Sequence, residues 1–236
     1  MRYDEQNPYQ ASAWGAAPSV DTRERFLVKT YNHLFMAIAL FAGIEFALFK
    51  AKLAEPIART MMSGGWLLVL GAFMLVGWLA NSVAHRAESK AAQYAALAGY
   101  VLAEAIVFVP LLYIANKFAP GTIQSAGLVT IVGFAALTGI VFWTKKDFSF
   151  LGAVLRWVGI GVLLLIVASL LFGFTLGALF SVGMIVFAGA AILYDTSRVL
   201  HDYPEDRYVA ASLSLFASVA LLFWYVLRLF LQLSRR

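Results

Sequence analysis

Residues 150–172 read FLGAVLRWVGIGVLLLIVASLLF, with Arg156 as their one charged residue. A stretch of this length and composition is what a helix needs to cross a bilayer, roughly 20 consecutive apolar residues at 1.5 Å each. Six further stretches satisfy the same requirement. The seven expected spans are Tyr31–Phe49, Gly65–Ala84, Ala92–Ala115, Ile123–Trp143, Phe150–Phe172, Leu176–Leu200 and Tyr208–Leu231. Between them lie short segments rich in charged or helix-stopping residues, among them KAKLAEP, HRAESK, TKKD and HDYPEDR. Such connections leave no room for a further domain.

Composition leads to the same class. Of 236 residues, 62% are hydrophobic and 13% charged, with mean hydropathy +0.81. A soluble domain is about 45–50% apolar and about 25% charged, so this chain lacks the polar side chains to cover a water-facing surface. The expected fold is an all-α integral membrane protein, a seven-helix transmembrane bundle over 26–236. Residues 1–25 are expected to be a disordered polar tail, with no signal peptide, because they lack a short apolar core.

The chain has no cysteine, which excludes disulfides, thiolate metal sites and cysteine nucleophiles. The net charge of +5 fits basic loops at an anionic leaflet, and nucleic acid is not an expected partner. Basic residues on the N-terminal side of the bundle number ten, from Arg2 to Arg207, against seven on the other side. The bias points to a cytoplasmic N-terminus. Enzyme chemistry is not expected. No G-x-S-x-G occurs and the three histidines lack metal-ligand spacing, so neither a catalytic residue, a metal nor a cofactor is assigned. No lysine follows Lys146, which excludes a Schiff base in the last helix.

Ionisable residues inside spans are costly and face the protein interior or a wet cavity. His33, Glu45, Glu104, Arg156, Asp195 and Arg228 are the candidates. His33 reads as interfacial, and Arg156 and Arg228 as long side chains that reach a nearby interface. Glu45 lies near Lys50 at the membrane edge. Glu104 lies mid-span without a basic neighbour on its own helix, so it is neutral or partnered from another helix. Pro110 follows it and is expected to loosen the span. Asp195, in AAILYDTSRVLHD (190–202), falls between interface and interior, and Arg198 at i+3 offers it a local partner. Small residues at 188–191 (AGAA) and the pair Gly173 and Gly177 suggest close helix packing.

Three segments together resemble the Bax inhibitor-1 family, in its bacterial YccA-type branch. They are FWTKKDFSFLGAVL (142–155), AAILYDTSRVLHD, and EDRYVAASLSLFASVALLFWYVLRLF (205–230). The first carries a T-x-x-D-F-S-x-L-G loop, the second a D-T pair, and the third A-x-x-L-x-L-F. The resemblance covers roughly 30–233. It implies a last helix at the centre of the other six and a pH-sensitive calcium leak across a bacterial inner membrane. In that picture two aspartates share a proton, because adjacent carboxylates do not both ionise cheaply. The first matches Asp195. The second position holds Ser218, with Ser214 one turn earlier on the same face. The site implied is therefore Asp195, Ser218, Ser214 and Arg198, with Glu104 as a substitute carboxylate if its helix faces the last one. The expected activity is passage of Ca²⁺ or H⁺. The alternative is a non-transporting regulator that binds another membrane protein, such as a quality-control protease.

Overall fold

A computed structural model describes residues 20–63 and 65–234, and among these every regular element is helical. The long helices are α1 (Val20–Lys50), α3 (Trp66–Arg86), α4 (Lys90–Phe118), α5 (Thr122–Thr144), α6 (Leu151–Phe172), α7 (Ala178–His201) and α8 (Tyr208–Ser234). Each is long and apolar enough to cross a membrane. The short helix α2 (Ala54–Met62) joins α1 to α3, and a 3₁₀ turn (Glu205–Arg207) precedes α8. The protein is an integral membrane bundle.

Helix limits agree with the expected spans to within a few residues except at two places. Helix α1 begins at Val20, so 20–25 are helix and not tail; the tail expectation for 1–19 lies outside the described residues. Within KAKLAEP a helix begins that the sequence reading did not contain. Pro56 is tolerated because it falls in the first turn of α2, where the N–H it lacks would have no intrahelical partner. Ala54, Ala58 and Met61 are buried, and the first two pack with Val109 of α4.

Helix α8 is the centre. In its most apolar window 72% of residues are buried, against 0% for α6. It packs on α7 most extensively, and on α1, α5, α4 and α3, while α6 leans on α7 at the periphery. The C-terminal half of α8 is anchored by Leu222, Val226, Leu227 and Leu231, which meet Phe108 and Leu112 of α4 and Ala188 and Ile192 of α7. Aromatic edges lock α4 to α8, with Phe108 and Trp224 at 4.9 Å and Tyr100 and Phe216 at 6.1 Å. With no hydrophobic drive between helices in lipid, such close packing is the main cohesive force.

Two expectations about small and breaking residues change. Gly173 and Gly177 do not pack helices together. Gly173 ends α6 in the left-handed region (φ 73°), where a side chain is strained, and Gly177 precedes α7. Helix α4 continues through Pro110, which is buried. In AGAA, by contrast, Ala188 is fully buried in the core that α7 shares with α8, and a methyl group at Gly189 would just touch Leu137 of α5 at 3.4 Å.

Candidate functional site

The α7–α8 interface buries a carboxylate. Asp195 is 9% exposed and Ser218 6%, and the Ser218 hydroxyl donates to Asp195 Oδ2 at 2.5 Å. That length is typical of an O–H group bonded to a charged acceptor. Asp195 stands six residues, about 9 Å, before the end of α7. Its side chain is interior, held against the central helix. The hydroxyl supplies a hydrogen bond without a second negative charge. A carboxylate at 218 would compete with Asp195 for one proton; serine leaves Asp195 as the only titrating member of the pair.

Three other expected members of the site are elsewhere. Ser214 pairs with the hydroxyl of Tyr203 at 2.9 Å, not with Asp195. Arg198 makes no ion pair with Asp195 among the described residues. Its guanidinium lies over the rings of Tyr203 (4.7 Å) and Tyr194 (5.5 Å), a placement that favours a cation on the ring faces while its charge still acts on Asp195. Glu104 is buried on α4, a helix that packs on α3, α1, α2 and α8 and not appreciably on α7. Its interacting neighbour is Tyr100, one turn back on the same helix, and it does not reach Asp195. Arg228 donates to the Leu176 carbonyl at 3.0 Å, tying α8 to the segment between α6 and α7. His33 is bonded to the Lys29 carbonyl and the Tyr94 hydroxyl.

The hub that the sequence reading missed is Tyr203, in the connection before α8. Its hydroxyl bonds Ser214 and also His85 Nε2 at 3.0 Å, and the Nδ1 of His85 faces the Asn81 carbonyl. Burial pushes the Tyr203 phenol up, so it remains a protonated hydroxyl at ordinary pH, able to donate and accept. Arg23 of α1 clamps the same corner, donating to the carbonyls of Tyr203 and Val199 at 2.7 Å each. These groups extend from the neighbourhood of Asp195 to the end of the bundle where α1, α4 and α8 begin. A tyrosine in a loop and a lone histidine at the end of a span carry no motif, so only their meeting reveals them.

The loop between α5 and α6 docks on the same end of α7. Phe148 N–H donates to Ser197 Oγ (2.9 Å), and Asp147 accepts from the Ser149 N–H (2.8 Å), the Ser149 hydroxyl (3.1 Å) and the Ser197 hydroxyl (3.4 Å). The Ser149 N–H, above all, holds the Asp147 carboxyl below the usual carboxylate range. Gly152 lies under Tyr194: a methyl group there would sit 2.7 Å from the ring. The Asp, Ser and Gly of the loop thus fit the turn that carries Asp195.

On the other side of Asp195 the bundle is apolar. Ala188 and Ile192 of α7 pack with Leu222 and Val226 of α8. Among the described residues no cluster of three His, Asp or Glu side chains is placed to hold a metal.

A family model described as "Inhibitor of apoptosis-promoting Bax1" matches residues 23–235. The chain is similar to the "Golgi anti-apoptotic protein" of Vaccinia virus (strain Lister), 30% identical over 227 residues, 94% of this chain and 90% of that one. An uncharacterised protein of Pseudomonas aeruginosa is 30% identical over 208 residues, 86% of this chain and 87% of its own length. "Bax inhibitor 1" of Schizosaccharomyces pombe is 32% identical over 142 residues, covering 58% and 48% respectively. With a buried aspartate between its last two helices and a family match over nearly its whole length, the chain belongs to the Bax inhibitor-1 family.

Proposed function

We propose that the protein is a passive cation leak, for Ca²⁺ or H⁺, controlled by the protonation of Asp195. The observation that carries this reading is the buried Ser218–Asp195 hydrogen bond at the interface of the central helix with α7. Intramembrane carboxylates are expensive and mark ion or proton paths. The hydroxyls of Ser214 and Tyr203 and the imidazole of His85 give polar access from one end. The apolar layer of Ala188, Ile192, Leu222 and Val226 closes the other. Conduction then requires α7 to shift against α8 and break that layer. Protonating Asp195 weakens its charge-assisted bond to Ser218, and so biases the shift.

Calcium prefers six or more oxygens, which this interface lacks in the closed arrangement. Protons need only the hydroxyl chain. The role is non-catalytic. The membrane is the cytoplasmic one of a bacterium, with the N-terminus inside.

The test is flux from liposomes carrying the purified protein, with a Ca²⁺ dye and a pH dye, across pH 5–8. Asp195→Asn is expected to make flux independent of pH. Ser218→Asp restores a second carboxylate and is expected to steepen the pH response, with two interacting titrations in place of one. Wild-type liposomes that pass neither ion at any pH would remove the proposal.

A second reading is regulation by contact with another membrane protein, such as a protease. It is favoured by α6, which has no buried residue and exposes Trp157 and Leu164. Two relatives carry names tied to apoptosis, "Golgi anti-apoptotic protein" and "Bax inhibitor 1". Deleting residues 1–19, which leaves helix α1 and its Arg23 clamp in place, separates the readings: a leak survives it, and a tail-mediated interaction does not.

A further inference from the structure

Away from Asp195, a second carboxylate is buried without a partner. Glu45 of α1 is 6% exposed, and neither of its side-chain oxygens has a hydrogen-bond donor among the described residues. It lines a cavity of about 330 Å³ whose walls are Ile38 and Phe41 of α1 and Ile123 and Ile131 of α5. Phe216 and Phe223 of α8 form the floor. Helices α1 and α5 touch where Tyr31 meets Phe142, at 5.9 Å, and have little contact elsewhere. The cavity occupies the wedge that opens between them. Ala42 and Ile131 on its rim are exposed, the latter 62%, so the mouth faces lipid.

We propose that this wedge binds a compact, membrane-dissolved amine, with the nitrogen held by Glu45 and an apolar body among Ile38, Ile131 and Phe216. Four features select this chemistry. A buried acceptor that lacks a donor is costly, and a ligand N–H supplies one. Phe41, Phe216 and Phe223 line the cavity, and ring faces attract a cation. A metal ion is disfavoured, because hard cations take six or more oxygens and the other polar side chain lining the cavity, Thr130, spends its hydroxyl proton on the Ala126 carbonyl. The volume lies at the small end of ligand pockets, which span roughly 300–1,000 Å³, too small for an intact phospholipid. Glu45 stands five residues, about 7.5 Å, before the end of α1. The nitrogen therefore sits near one membrane surface and the apolar body points toward mid-bilayer, as an amphiphile lies in a leaflet.

The full chain in phosphatidylcholine nanodiscs provides the test, since that lipid's headgroup nitrogen has no N–H. Two photoreactive probes are compared: a diazirine-bearing phenethylamine and the matching phenethyl methyl ether, in which methoxy replaces the amino group and removes both charge and donor. Mass spectrometry reads labelling of the α5 segment 123–131, so that changing the carboxylate does not remove the labelled group. The amine is expected to label this segment saturably and at least fivefold more than the ether. Glu45→Gln and the cavity-filling Ile131→Trp are each expected to lower labelling at least fivefold. Equal labelling by both probes in the unmutated protein overturns the proposal, and that comparison needs no variant to fold. Labelling unchanged by both substitutions also overturns it. Loss of labelling in phosphatidylethanolamine nanodiscs assigns the amine to a lipid headgroup entering in part; retained labelling assigns it to a free amine.

Discussion

At residue 218 a hydroxyl stands where the resemblance implies a carboxylate, and it meets Asp195 without bringing a second charge. Ser218 still reaches Asp195, because the two helices are held together by the packing of their apolar neighbours and not by that bond alone. Gly152 shows the reverse case, in which a missing side chain is the requirement. Gly152→Ala places a methyl group within 3 Å of the Tyr194 ring, and overpacking of this kind costs about 1–3 kcal/mol. Thermal unfolding in detergent is expected to record that loss. In a Tyr194→Ala background the same substitution is expected to cost less than about 0.5 kcal/mol, since the clash partner is gone. Equal costs in both backgrounds would show that the ring is not the reason for the glycine. The motif containing Gly152 was visible in the sequence, but its target was not. Tyr194 lies 42 positions away, and no periodicity links them.

Among the connecting elements, the loop between α5 and α6 joins sequence pattern to fold most directly. Asp147 holds it through the Ser149 N–H and the hydroxyls of Ser149 and Ser197. Because these donors lower its folded-state value, the anchoring contribution is complete above the ordinary Asp value of about 4. It is lost as pH falls through the lowered value. Amide exchange at Phe148 and Ser149, corrected for its intrinsic pH dependence, is expected to stay slow from neutral pH to about 4 and to quicken below that. Asp147→Ala is expected to give fast exchange at every pH; unchanged protection in the variant would refute the anchor. The long helices were legible from hydropathy, because a span must be apolar over most of its length. Helix α2 was not, because nine residues with a proline and two charges read locally as a loop. Its helical state depends on the surface that α4 offers to Ala54 and Ala58.

Across the whole molecule, burial is divided unevenly between a central helix and a peripheral one. Ala210 and Ala211 of α8 are fully buried, whereas Leu164 of α6 is 64% exposed to the surroundings of the bundle. Ala211→Leu is expected to lower stability by about 1–3 kcal/mol through overpacking, and Leu164→Ala to change it by less than about 0.5 kcal/mol. Similar losses at both positions would contradict a bundle organised around α8. The sequence by itself determined the membrane class, the seven spans and the interior candidates, since each follows from the cost of exposing polar groups to lipid, which acts residue by residue. It also contained the family's motifs, and with them Asp195 and Ser218. Only the tertiary structure decided which candidates meet: Ser218 with Asp195, Ser214 with Tyr203, Arg198 with two aromatic rings, and Glu104 with Tyr100 of its own helix. The physical reason is that hydropathy records only whether a residue leaves water. Its partner depends on the rotation and neighbours of its helix, which are set by close packing of the whole bundle.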